Sequence, residues 1–139
     1  MKISVLAAQQ IPEAVALWDA TELTRPWNDP CADTLRALET STSTVLAASE
    51  GSQVIATAMV GHDGHRGWLY YVAVDPRRQG SGLGAQMVQA ASDWLTQCGV
   101  PKVQLMVREE NAAVRGFYER LGFEDQHVLV LGKRLDASA

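Results

Sequence analysis

Four short apolar runs before residue 75 predict β-strands, because each is bounded by turn-forming residues. They cover residues 3–6, 44–48, 54–60 and 68–74. Asp63-Gly64 lies in the turn between the last two runs, and Asp-Gly is typical of a hairpin turn. The order of runs and turns therefore predicts an antiparallel meander that ends in a buried strand.

Four other segments carry apolar residues at helical spacing, which predicts amphipathic helices. Pro12 and Pro30 mark the starts of the first two, with Asp29 as a cap for the second. The last two cover residues 83–98 and 112–121, and a glycine follows each of them. The expected buried residues are Ile11, Val15 and Trp18 in the first helix, and Leu35 and Leu38 in the second.

The third helix lies between the run 68–74 and an alternating segment, residues 102–107. Strand, helix and strand in this order form a crossover, which makes the two strands parallel. Residues 123–134 predict one more strand or strand pair. The predicted fold class is therefore α/β with mixed α+β character: one domain over residues 1–139, in which about four helices flank a mixed sheet.

Composition narrows the classes of function. The net charge of −4 argues against a nucleic-acid-binding protein, and no apolar stretch reaches the length of a membrane span. Cys31 and Cys98 have no neighbouring cysteines, so we expect neither a disulfide framework nor a zinc site, and a reducing cytoplasm is the default location. His62 and His65 lie in one turn without a further ligand nearby, which is too few for a metal site.

The most informative stretch is residues 75–85, Asp-Pro-Arg-Arg-Gln-Gly-Ser-Gly-Leu-Gly-Ala, between the buried strand and the third helix. Its glycines let the backbone approach a ligand, and the helix N-terminus offers unpaired N–H groups to an anion. Arg77 and Arg78 add cationic donors. The stretch therefore predicts a phosphate-binding turn.

Three kinds of phosphate-binding loop compete for this stretch. A Walker loop requires Lys-Ser/Thr where Ala85-Gln86 stands. Gly80, Gly82 and Ala85 match the dinucleotide fingerprint, but five residues separate the strand from the first glycine, and the chain shows one crossover where two βαβ halves are needed. Residues 79–84 resemble the acyl-coenzyme A loop, Q/R-x-x-G-x-G/A, of the GNAT superfamily of N-acetyltransferases.

Residues 111–123 resemble the last motif of the same superfamily, N-x-x-A-x-x-x-Y-x-x-x-G-F, with Val114 where many members have Ala. The stretches at residues 25–30, 61–67 and 131–135 look further like the YpeA branch of small bacterial acetyltransferases. The resemblance implies the GNAT acyl-coenzyme A N-acyltransferase fold. In that fold the antiparallel N-terminal strands are followed by a parallel pair, which splays apart so that the pantetheine arm of acetyl-coenzyme A can insert.

The resemblance also implies roles for individual residues. Tyr118 would protonate the departing thiolate, since a tyrosine holds its proton at neutral pH; its alternative role is that of a core residue. Asn111 would contact the coenzyme, and it can also serve as a helix N-cap. Acetyl-coenzyme A would be the acetyl donor, without a metal, and the residues expected to bind it are Val72, Ala73, Val74, Gln79, Gly80, Ser81, Gly82, Leu83, Gly84, Asn111 and Tyr118.

The sequence does not identify a general base. Met106 and Trp68 stand at the two positions where members of the family carry a glutamate, which argues against protein N-termini and histones as acceptors. The remaining candidates are ordered water or one of Asp29, Asp63, His65 and Glu109. The expected acceptor pocket consists of Trp27, Asp29, Asp63 and His65.

Two functions follow from these residues. The leading hypothesis is direct transfer of an acetyl group from acetyl-coenzyme A to a primary amine of a small molecule or peptide. The alternative is a non-catalytic domain that binds or senses acyl-coenzyme A. The missing glutamates favour the alternative, whereas Tyr118 favours the enzyme. We expect a monomer or homodimer, with no nucleic-acid or membrane partner.

Overall fold

The computed structural model describes residues 2–136, which form five strands, four α-helices and two short 3-10 turns. None of these helices is both long and apolar enough to cross a membrane. The elements in chain order are β1 (Lys2–Val5), α1 (Ile11–Ala20), α2 (Pro30–Glu39), β2 (Ser43–Glu50), β3 (Gln53–His62), β4 (Gly67–Val74), α3 (Leu83–Gln97), β5 (Val103–Gln104) and α4 (Ala112–Arg120).

The chain divides into two compact units, and the boundary falls between Met106 and Val107. The first unit contains the whole sheet together with α1, α2 and α3, and the second contains α4. The single domain over residues 1–139 stays a prediction.

The sheet of the first unit has the strand order β1-β2-β3-β4-β5. The first four strands pair antiparallel, and β4 pairs parallel with β5 after the α3 crossover. The predicted meander and parallel pair are therefore confirmed. The predicted strand 102–107 is too long, because its ladder with β4 ends at Gln104.

The core of the first unit forms where α1 and α2 pack on one face of the sheet. It contains Leu6, Ile11, Ala14, Leu17, Trp18, Ala37, Val45, Ala47, Val54 and Ala73. Because successive strand residues point to opposite faces, Leu46 and Ala48 face the other side. There α3 packs and buries Leu83, Met87, Val88, Ala91 and Leu95.

The predicted buried faces of α1 and α2 are only partly right. In α1, Ile11 and Trp18 are buried, but Val15 is only partly buried. In α2, Leu35 is 44% exposed, and the buried residues are Thr34 and Ala37. Small side chains face the sheet here, and they allow α2 to pack closely against it.

Residues 123–134 form no strand in the part of the second unit that the structure describes, so that prediction is wrong here. The segment has the apolar composition of a strand, and Val128, Leu129, Val130 and Leu131 are 64–91% exposed. A strand requires a hydrogen-bonded neighbour, and the periodicity of one segment does not supply that neighbour.

A buried hydrogen-bond relay connects α1, β3 and β4. The indole N–H of Trp18 donates to the hydroxyl oxygen of Thr57 at 2.8 Å, and that hydroxyl donates to the carbonyl oxygen of Tyr71 at 2.8 Å. The Tyr71 ring stacks on Trp18 with centroids 4.2 Å apart. Trp18 and Thr57 are fully buried, so water cannot replace these bonds.

Replacing Thr57 with valine should lower the free energy of unfolding by about 1–3 kcal/mol, because it leaves the buried Trp18 N–H without an acceptor. Urea unfolding measures the change. The control is Thr96→Val, since Thr96 is an exposed residue of α3, and it should lower stability by about 0.5 kcal/mol or less. Equal losses in the two variants would show that the relay adds nothing to stability.

Candidate functional site

Strand β4 carries a β-bulge opposite β3. Thr57 pairs with Ala73 and Met59 pairs with Tyr70, so Tyr71 and Val72 together lie opposite Ala58. Tyr71 has φ +49°, a left-handed conformation that is rare and strained for an aromatic residue. Its stack on Trp18 and the Thr57 hydrogen bond hold it there. Such bulges often redirect a strand next to a binding site.

The edge of β4 that faces β5 is largely unpaired within residues 2–106. The parallel ladder consists of two residue pairs, Gly67 with Val103 and Trp68 with Gln104. From residue 69 to residue 74 this edge has no partner strand among the described residues of the unit. The expected splayed parallel pair is therefore confirmed, since β5 pairs with β4 only at its first two residues.

The turn after β4 is organised by Asp75, whose side chain is almost fully buried. Its carboxylate accepts hydrogen bonds from the backbone N–H of Arg77 at 3.0 Å and from the Arg77 guanidinium at 3.0 Å. These hydrogen bonds hold the pKa of Asp75 below its usual range. Arg78 pairs with Asp75 at 3.6 Å and also with Glu50. Both arginines predicted to serve a phosphate thus have carboxylate partners, so the local charge is near balance.

The glycine loop has the conformation that its sequence requires. Gly80 has φ +84° and Gly82 has φ +83°, in the left-handed region that favours glycine. A Cβ at either position would meet no atom within 4 Å, so the dihedral angle and not crowding selects glycine. The Ser81 hydroxyl donates to the carbonyl oxygen of Arg78 at 2.6 Å and closes the loop.

The loop leads into α3, and the N-terminal turn of this helix is suited to an anion. Gly82 is the N-cap residue of α3, and as a glycine it provides no capping side chain for the N–H groups of the first turn. No acidic residue lies in that turn, and the positive end of the helix dipole adds to the attraction. A cavity of about 290 Å³ adjoins the loop and is lined by Glu50, Ile55, Arg78, Ser81, Leu83 and Gln86. These features fit a pyrophosphate group.

The second unit carries Asn111 and Tyr118. The side chain of Asn111 accepts a hydrogen bond from the backbone N–H of Val114 at 3.3 Å, so the predicted N-cap role is confirmed. Tyr118 is 8% exposed, and its ring contacts Phe117 and Phe123 with centroid distances of 4.9 Å and 5.5 Å. Burial raises the pKa of Tyr118 to about 12. A phenol keeps its proton at neutral pH even without this shift, and the shift makes Tyr118 a weaker acid.

The four residues predicted to form the acceptor pocket lie in two exposed turns of the first unit. Trp27 precedes α2, and Asp29 caps this helix by accepting from the backbone N–H of Ala32 at 3.1 Å. Asp63 accepts from the backbone N–H groups of His65 and Arg66 at 2.9 Å and 2.8 Å. These bonds lower the pKa of Asp63, which makes it a weaker base. The acceptor pocket stays a prediction.

Sequence reasoning missed one polar pair. The Tyr71 hydroxyl donates to a carboxylate oxygen of Asp33 at 3.3 Å, which connects the bulge of β4 to α2. The two residues are 38 positions apart, and no spacing rule links them. No group of three or more His, Cys, Asp and Glu side chains within residues 2–136 is arranged to hold a metal ion.

The family of the chain follows from its match to a protein-family profile. Residues 13–123 match the profile of the Acetyltransferase (GNAT) family, which is most of the 139-residue chain. The chain belongs to the GNAT family of acetyltransferases. The motifs at residues 79–84 and 111–123 are thus members of one family pattern, as their resemblance implied.

Solved structures share the fold at low sequence identity. A tetramutant of the BH1408 protein from Bacillus halodurans has 20% identity and a TM-score of 0.80, over 96% of this chain and all of that one. The enzyme AAC(6')-Iy in complex with a coenzyme A bisubstrate analogue has 17% identity and a TM-score of 0.81, over 96% and 97% of the two chains. An aminoglycoside acetyltransferase from an uncultured soil metagenomic sample, in complex with sisomicin, has 19% identity and a TM-score of 0.80, over 97% and 96%.

Replacing Gly82 with aspartate should weaken coenzyme A binding by roughly 100-fold or more, or about 2.7 kcal/mol. The new carboxylate would repel the phosphates and would accept hydrogen bonds from the backbone N–H groups that would otherwise bind them. The fold should persist, because a Cβ meets nothing and aspartate is among the residues that tolerate this dihedral angle. Isothermal titration calorimetry measures the affinity.

The matched control is Gly64→Asp. Gly64 also has a left-handed φ, of +87°, and open space around it, but it lies in the β3–β4 turn. The control should bind coenzyme A like the parent. Parent-like affinity in Gly82→Asp would show that the phosphates bind elsewhere.

Proposed function

We propose that the protein transfers an acetyl group from acetyl-coenzyme A to a primary amine by direct attack within a ternary complex. One observation carries the proposal: a bulged strand with an open edge leads through the Asp75 turn into a glycine loop at the start of α3. Membership of the GNAT family supports the same reaction class.

The donor substrate would bind along this path. The N–H groups of residues 79–84 would hold the pyrophosphate, with Gln79, Gly80, Ser81, Gly82, Leu83 and Gly84 as the contacting residues. The pantetheine arm would run along the open edge of β4, next to Val72, Ala73 and Val74. The unpaired backbone groups there would accept and donate the hydrogen bonds that a neighbouring strand otherwise provides.

The chemical step needs few protein groups. The neutral amine attacks the thioester carbonyl and a C–N bond forms. The C–S bond then breaks, the nitrogen gives up one proton to solvent water, and the departing thiolate takes up a proton. We assign that proton to the hydroxyl of Tyr118, which is protonated at neutral pH. Asn111, at the start of α4, would contact the coenzyme as well as cap the helix.

Solvent water is our candidate for removing the proton from the acceptor ammonium. Met106 and Trp68 cannot take a proton at the positions where relatives carry glutamate. Asp29 and Asp63 already accept backbone hydrogen bonds. His65 and Glu109 are exposed side chains. Amino sugars are the first acceptors to test, since structures with the same fold include aminoglycoside acetyltransferases.

Replacing Tyr118 with phenylalanine should slow the chemical step by roughly 10²–10⁴, the usual range for loss of a general acid. Affinity for acetyl-coenzyme A should change little, because the proton is needed only as the sulfur leaves. Single-turnover acetyl transfer to an accepted amine, at saturating donor, measures the step. The control Tyr70→Phe removes the hydroxyl of a tyrosine that is 43% exposed and should react like the parent.

Three outcomes would revise the proposal. A Tyr118→Phe variant as fast as the parent would make Tyr118 a packing residue. Loss of donor affinity in proportion to rate would make it a binding residue. If the parent binds coenzyme A tightly but acetylates no amine in a broad panel, the protein is better described as a domain that senses acyl-coenzyme A. The absence of both glutamates favours the same alternative.

A further inference from the structure

The contact between Asp33 and Tyr71 brings a carboxylate to the bulge of β4. Asp33 lies in the first turn of α2, and one of its oxygens accepts the hydrogen bond from the Tyr71 phenol. Tyr71 directly precedes Val72, where the proposed path of the donor begins. A charged group is thereby fixed beside the segment where acetyl transfer would occur.

The second oxygen of Asp33 faces a cation that is easily displaced. It lies 3.8 Å from the guanidinium of Arg36, one turn further along α2. The Arg36 side chain is 75% exposed and that of Asp33 is 31% exposed. Ion pairs of this exposure contribute little net free energy, so another cation can replace Arg36 at this oxygen.

Two kinds of group lie near the pair. Asp29, the N-cap residue whose carbonyl oxygen accepts from the backbone N–H of Asp33 at 2.9 Å, adds a second carboxylate to this end of α2, and the aromatic groups on the other side are uncharged. Tyr71 stays neutral, because burial and the neighbouring Asp33 raise its pKa to about 12. Its ring rests on Trp18 from α1, and Thr57 from β3 holds its carbonyl oxygen. Among the described residues, the cation that pairs with Asp33 is the exposed Arg36, and the N-terminal end of α2 adds the partial positive charge of the helix dipole. An aromatic surface beside a carboxylate is suited to a cation and poorly suited to an anion.

We propose that Asp33, held in place by Tyr71, binds a positively charged amino group of the acceptor and makes the protein selective for diamines, polyamines or amino sugars with several amines. The inference rests on the proposed function. The reacting nitrogen must be neutral when it attacks, so the cation at Asp33 is a second amino group of the same molecule. Asp33 is in this sense a specificity-determining residue.

The test compares three acceptors of equal chain length: cadaverine, the corresponding amino alcohol and the corresponding ω-amino acid. The parent should have its lowest KM for cadaverine. Asp33→Asn keeps the shape and the hydrogen bond from Tyr71 but removes the charge. It should raise the KM for cadaverine by roughly 10–100-fold, and the KM for the amino alcohol by much less.

Two further variants sharpen the comparison. Arg36→Ala removes the competing cation and should lower the KM for cadaverine a few-fold, a gain that a purely structural role of Asp33 does not predict. Glu39→Gln is the control, because it removes one negative charge at an exposed position of α2. It should have the same KM for cadaverine as the parent. Binding of cadaverine to the parent and to Asp33→Asn is also measured by calorimetry, together with coenzyme A affinity.

The outcomes separate this inference from the proposed function. Cadaverine binding that depends on Asp33, in a protein that acetylates no amine, would support the site and overturn the transferase proposal. Acetylation of all three acceptors with similar KM values, or an unchanged KM in Asp33→Asn, would overturn the inference alone. If Asp33→Asn raises the KM for cadaverine and for the amino alcohol equally and also lowers the Tm, Asp33 is a structural residue. That result would also overturn the inference.

Discussion

The left-handed conformation of Tyr71 is the constraint on which the site depends. Tyr71 lies in the bulge, where β4 has one residue more than β3. The hydrogen-bond relay from Trp18 through Thr57 and the ring stack on Trp18 hold Tyr71 in this conformation. A residue in such a conformation costs on the order of 1–3 kcal/mol, so the buried contacts must compensate for it. The bulge directs Tyr71 toward Asp33 on one side and places Val72 at the open edge of β4 on the other.

The electrostatics of the loop differ from those that its composition suggests. Arg77 and Arg78 look like phosphate ligands in the sequence, but Asp75 and Glu50 pair with them. Their first task is to fix the turn that leads into α3. The attraction for an anion then comes mainly from backbone N–H groups and the helix dipole, which no side-chain charge cancels in the first turn of α3. Negative net charge of the whole chain is compatible with this local arrangement.

The sequence predicted the features that depend on neighbours along the chain. The meander, the parallel pair and the caps at Asp29 and Asn111 follow from local spacing and from turn chemistry. The bulge at Tyr71 and its contact with Asp33 depend on the register between strands and on how α2 packs, which no single segment encodes. The prediction of a strand at residues 123–134 was wrong for the same reason, since apolar alternation identifies a potential strand but not its partner.

Amide hydrogen exchange, resolved by residue and measured with and without acetyl-coenzyme A, tests the central claim most directly. If the donor binds along the open edge of β4 and at the start of α3, exchange should slow at residues 72–74 and 79–84. NAD and ATP at the same concentration should not produce this protection. Protection confined to other segments, or the same protection by NAD, would contradict the assignment of these residues to the acetyl donor.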